Sequence, residues 1–98
     1  MQNKLYNAIG LCMKAGKAQS GAFSVEKAIQ SNRAKLVLVE HSASEATKSQ
    51  YIAMCKHHQI PISFVDCVGE AIGKPGRVAM AVLDEPFRTM IEGLLSQE

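Results

Sequence analysis

The chain reads as an α/β protein, a three-layer α/β/α sandwich about a small sheet of about four strands. Three observations predict it. Residues 34–39 and 78–83 are apolar at almost every position, the pattern of strands buried on both faces. Stretches with apolar residues at helical spacing lie before, between and after these runs. Turn residues punctuate the junctions, and such alternation packs helical layers on both faces of one sheet.

In chain order, Leu5, Ala8, Ile9, Cys12 and Met13 recur at i, i+3, i+4, i+7 and i+8, one face of an amphipathic helix over residues 3–14. Asn3 is its expected cap, and Gly16 ends it in a left-handed conformation. Residues 17–20 have room for a brief strand. Ser20-Gly21 opens a second helix with Val25, Ala28 and Ile29 on its apolar side, stopping near Ser31-Asn32. The run 34–39 follows, with Lys35 at the start of the strand, where its ammonium reaches water.

Ser44 caps a third helix. Its stripe is Thr47, Tyr51, Met54, Cys55 and His58, and it ends near Gln59. Pro61 cannot continue a helix and fits the beginning of a strand at residues 62–65. Residues 68–72 have room for about two helical turns, with Asp66 as the expected cap. Gly73-Lys74-Pro75-Gly76 is the strongest turn signal in the chain. After the run 78–83, Asp84 and Pro86 start a last helix with Phe87, Met90, Ile91, Leu94 and Leu95 toward the core.

The 98 residues suffice for one domain, 1–98, and not two. Hydrophobic residues make up 47%, enough for a real core, which argues against disorder. No apolar run approaches a bilayer span, and the beginning of the chain lacks a signal-peptide core. The expected location is the cytoplasm, with no membrane partner. Three cysteines, Cys12, Cys55 and Cys67, are an odd number without a CxxC pair and sit in apolar surroundings, so buried reduced thiols are expected.

A net charge of +2 implies no polyanionic partner by itself. The distribution is more informative. Residues 14–35 hold five cations against Glu26, a balance of +4; residues 84–98 hold four carboxylates against Arg88, a balance of −3. Such polarity can orient a protein on a phosphate backbone, although ordinary solvated surface charge produces it too.

Catalytic and metal signatures are weak. His57 and His58 are adjacent on a helix, so their side chains diverge by about 100° and do not readily chelate one ion. His41 follows the central strand, where α/β proteins often place ligands, but spacing assigns it no nucleophile or carboxylate partner. The chain has no Gly-rich phosphate loop, HExxH or GxSxG. No cofactor, no metal and no enzymatic activity are expected. Phe23 stands at a helix start among polar residues, either as core or exposed for stacking.

Three segments then carry a resemblance: Gly21-Ala22-Phe23-Ser24-Val25-Glu26-Lys27, the strand AKLVLV at 34–39, and Val68-Gly69-Glu70-Ala71-Ile72-Gly73. Together they resemble the kink-turn RNA-binding ribosomal protein family. Residues 10–17 with Ser20-Gly21 are similar to its short bacterial, YlxQ-like branch. The likeness covers nearly the whole chain in the same element order.

That resemblance implies a mixed sheet in an α/β/α sandwich that binds structured RNA, ribosomal RNA among the candidates, as a monomer without DNA specificity. The implied contacts are Lys17, Gly21, Phe23, Ser24, Lys27, Glu40, His41, Gly73, Lys74 and Arg77. A helix start suits phosphate because free N–H groups and the positive dipole end face outward. Kink-turn binders of the family carry Asn-Glu where this chain has Phe23 and Ser24. Phenylalanine cannot make those hydrogen bonds, and serine makes fewer than glutamate. The loop 73–77 is also more basic than the family's usual apolar loop. A protein-interaction or assembly factor on the same fold, using a patch of Ala22, Phe23 and Val25, is the alternative.

Overall fold

The structure is a computed structural model that describes residues 3–66 and 68–97. The elements run α1 (Asn3–Lys14), β1 (Ala18–Ser20), α2 (Ala22–Gln30), β2 (Leu36–Glu40), α3 (Glu45–His58), β3 (Ile62–Val65), α4 (Val68–Ala71), β4 (Ala79–Val82) and α5 (Glu85–Leu95). The sheet order is β1-β4-β2-β3. It is mixed: β4 is antiparallel to both β1 and β2, whereas β2 and β3 are parallel. The brief first strand is real, with Ala18 opposite Val82 and Ser20 opposite Met80.

Strand periodicity builds two cores from one sheet. Leu36, Leu38, Met80 and Val82 point to one face and pack with Leu5, Ile9 and Cys12 of α1, Val68 of α4 and Ile91 of α5. Val37, Val39, Ala79 and Ala81 point to the other and pack with Val25, Ala28 and Ile29 of α2 and Tyr51 and Cys55 of α3. Both faces of β2 and β4 are therefore apolar, which is why their sequences show no alternation. The result is the three-layer α/β/α sandwich.

The helix boundaries follow local chemistry. Gly16 takes φ +74° after α1, and the Lys17 N–H donates to the Cys12 carbonyl at 3.0 Å. The Ser44 hydroxyl accepts from the Thr47 N–H at 3.1 Å, and Gln59 ends α3 in the left-handed region. Asp84 caps α5 by accepting from the Phe87 N–H at 3.1 Å.

Several expectations need correction. Met90 is exposed rather than core-facing, because the buried side of α5 centres on Ile91. Val78 lies outside β4 and is exposed, and β2 begins two residues later than the apolar run does. Asp66 does not cap α4 through Val68; the Val68 N–H is held instead by the Glu40 carboxylate at 2.6 Å. Cys12 and Cys55 are buried and unpaired, while Cys67 lies outside the described residues. Among the described residues, no helix is long and apolar enough to cross a membrane.

Candidate nucleic-acid interface

The sheet gathers several of the singled-out residues at one end of its strands. Because β2 and β3 run together and β4 runs against them, the ends of β2 and β3 meet the start of β4. The Glu40 N–H donates to the Val78 carbonyl at 2.8 Å, and the His41 N–H donates to the Val65 carbonyl at 2.9 Å. Strand β1 finishes at the same end, where the Gly21 N–H reaches the Ala79 carbonyl at 3.3 Å. Ser20-Gly21, Glu40-His41, Asp66 and Arg77-Val78 therefore line one rim.

At this rim Arg77 lies across the start of α2. Its Nη1 donates to the Ser20 carbonyl at 3.1 Å. Gly21, at φ +91° and ψ 150°, has no Cβ to obstruct the guanidinium. The first turn of α2 contains no carboxylate and no side-chain cap. A cation thus stands beside the positive end of a helix dipole. The group found beside Gly21 in this chain is its own Arg77.

Phe23 and Lys27 continue the surface along α2. Phe23 is 76% exposed, which resolves its two readings in favour of the surface. The Lys27 ammonium lies 5.6 Å from the centre of the Phe23 ring, within the range of a cation–π contact. Glu26 and Gln30 share a shallow depression with both. Val25, by contrast, is fully buried in the core, so the apolar patch of Ala22, Phe23 and Val25 does not form.

Behind the rim, Glu40 organises a turn. Its carboxylate fastens the start of α4, and Gly69 lets the loop at 73–77 pack directly on that helix. Glu40, Ser42, Gly69, Glu70, Gly76, Arg77 and Val78 line an open cleft of about 150 Å³. Gly73 and Gly76 take φ +73° and +93°, and Lys74 between them is exposed. Ser24 is half-buried within the first turn of α2.

His41 does have a carboxylate partner, one that sequence spacing could not identify. Its Nδ1 is 3.0 Å from Asp66 Oδ1, and its ring stacks on Phe64 at 6.3 Å. The parallel register, Val39 opposite Phe64 and Glu40 opposite Val65, brings these residues together across 25 positions of sequence. A carboxylate accepts, so Nδ1 carries the proton and Nε2 is the ring's other polar atom. Both side chains are largely exposed, at 58% and 64%.

Lys17 is not part of this rim. It precedes β1 at the opposite end of the strands, where the Leu83 N–H donates to its carbonyl and its ammonium is 4.0 Å from Asp84. β1 runs from one end of the strands to the other, so Lys17 before it and Gly21 after it lie at opposite ends of the sheet. His57 is exposed, and His58 Nδ1 is hydrogen-bonded with Asn32 Oδ1 at 3.2 Å, so the histidine pair is divided between solvent and a helix-end contact.

Comparison with known proteins agrees with this architecture. A protein from Bacillus subtilis (strain 168) named RNA-binding protein YlxQ is 37% identical over 90 residues, which cover 89% of this chain and 90% of its own. A protein of the same name from Enterococcus faecium is 32% identical over 99 residues, covering 94% of this chain and 95% of its own. A solved Bacillus halodurans C protein of unknown function superposes with a TM-score of 0.89 at 31% identity, over 95% of this chain and 97% of that one. The Giardia lamblia 15.5kD RNA binding protein shares the fold with a TM-score of 0.77 at 14% identity, over 97% of this chain and 84% of that one. The pattern of the ribosomal protein L7Ae/L30e/S12e/Gadd45 family matches residues 3–90, and with the mixed sheet between two helical layers the chain belongs to that family.

Proposed function

We propose that the chain is a non-catalytic, monomeric RNA-binding protein of the cytoplasm that grips structured, kink-turn-like RNA, ribosomal RNA among its candidates. The observation that carries this reading is the gathering of Gly21, Arg77, Phe23 and Lys27 about the start of α2, beside the Glu40-His41 rim. Two relatives named as RNA-binding proteins support it. Arg77 and Lys27 supply backbone contacts, since each phosphate neutralised releases condensed counterions. Where the family carries Asn-Glu, this chain has Phe23 and Ser24, so shape and backbone contacts take a larger share of recognition than hydrogen bonding to sheared base pairs.

The alternative protein-docking surface lacks its apolar patch because Val25 is in the core. Lys27→Glu and Arg77→Glu test the RNA reading directly. Each variant weakens binding to a kink-turn RNA and flattens the slope of log affinity against log salt by roughly one phosphate contact. Binding unchanged by both substitutions removes this surface from consideration.

A further inference from the structure

We infer that Phe23 is a stacking platform for one unpaired nucleobase, with Lys27 positioned to take the adjoining phosphate. The inference rests on the RNA-binding reading and specifies what the exposed face of α2 holds. Phe23 has the highest exposure among the large apolar residues described, at 76%, so folding gains little from an aromatic ring there. It is rigid, attached within the first turn of a helix whose inner side is fixed by fully buried Val25, Ala28 and Ile29. A ring with only two side-chain torsions on such a base is pre-ordered for stacking.

The surroundings indicate which planar group fits. Phe23, Glu26, Lys27 and Gln30 recur at i, i+3, i+4 and i+7, one outward strip of α2. They line a shallow depression of about 190 Å³. Lys27 Nζ is 5.6 Å from the ring centre in a cation–π contact, and no ion pair is shown for it among the described residues, so it can swing to a phosphate. At the other end of the strip, Arg77 places a second cation beside Gly21.

Gln30 offers an amide donor and acceptor, and Glu26 offers carboxylate acceptors, to the hydrogen-bonding edge of a base. An apolar side chain from a protein partner would leave both without a match. The Glu26 carboxylate repels phosphate, which directs the backbone toward Lys27 and Arg77 and favours bases that present an amino group. Base stacking on an aromatic side chain tolerates sequence, so the platform adds affinity to a shape-selected RNA.

The test uses the full chain and a kink-turn RNA carrying a fluorescent adenine analogue at one unpaired position at a time. Binding of the native protein quenches the analogue at one position. Phe23→Ala loses that quench and binds about tenfold more weakly, whereas Phe23→Trp retains both. Circular dichroism confirms that the alanine variant is folded, as expected for an exposed position. If Phe23→Ala quenches the same position with undiminished affinity, the platform is wrong while the RNA-binding reading stands. If the native protein binds no such RNA, that reading fails and the platform with it.

Discussion

The Arg77 guanidinium occupies the space that a side chain at Gly21 would need: a Cβ built there collides with Arg77 Nη1. Two costs of Gly21→Ala can therefore be separated. The collision involves the far end of a flexible side chain, which can swing away. The backbone cannot, since φ +91° with ψ 150° is a region nearly reserved for glycine.

Backbone strain is thus expected to dominate, and Gly21→Ala should lower stability by about 1–3 kcal/mol. Arg77→Ala should not rescue it: a double-mutant cycle followed by urea unfolding is expected to give a coupling below about 0.5 kcal/mol. Full recovery of stability in the double variant would show that the collision, not the dihedral angle, sets the cost.

Glu40 gives a second prediction. Its Oε2 accepts from the Val68 N–H at 2.6 Å, a charge-assisted bond at the start of a helix of only four residues. Glu40→Ala leaves that donor without this acceptor and should cost about 1–3 kcal/mol, with Glu40→Gln between it and the native protein. Hydrogen exchange at Val68 and through residues 68–77 should accelerate in the alanine variant. Exchange at native rates would mean that α4 is anchored by its packing alone.

The fold was largely legible because the signals behind it are local. Apolar runs identify β2 and β4, and Ser44, Asp84 and Gly16 mark helix ends through side-chain or backbone chemistry that needs no distant partner. The site was legible only in part, because its rim is made by register. No local pattern pairs His41 with Asp66, or lays Arg77 over Gly21, 56 positions earlier in the chain. Lys17 shows the same dependence: the three residues of β1 place it at the other end of the strands from Gly21. Gly69 illustrates a hidden requirement. Alone it resembles any helix glycine, yet a Cβ there would stand 2.8 Å from the Lys74 carbonyl oxygen and 3.1 Å from that of Arg77.

Tyr51 offers a third test. Its hydroxyl is buried on the α2–α3 side of the sheet without a hydrogen-bond partner among the described residues. Burial first, then Glu26 and Cys55, raise its pKa above the ordinary tyrosine value. Removing an unsatisfied buried hydroxyl while keeping the ring should be neutral or stabilising by up to about 1–2 kcal/mol. Chemical denaturation of Tyr51→Phe measures this, and a loss of more than about 1 kcal/mol would reveal a polar partner for the hydroxyl.

The two buried thiols make a prediction about pH and about access. Burial pushes Cys12 up to about 11, helped by Asp84, and burial alone pushes Cys55 up to about 11, against an ordinary value of 9.0. A raised folded-state value means that the folded protein retains protons which the unfolded chain releases. The associated stability is complete below pH 9 and is lost as pH rises toward 11. Unfolding free energy should therefore decline across that window, and the decline should be shallower in Cys55→Ala, although that variant is less stable throughout because it leaves a small cavity. Reactivity should follow the same logic, since the thiolate is the nucleophile and neither sulfur is accessible. In a Cys67→Ser background, a thiol reagent at neutral pH should label Cys12 and Cys55 only as fast as the fold opens, with urea accelerating the reaction. Rapid labelling without denaturant would contradict the burial of both sulfurs.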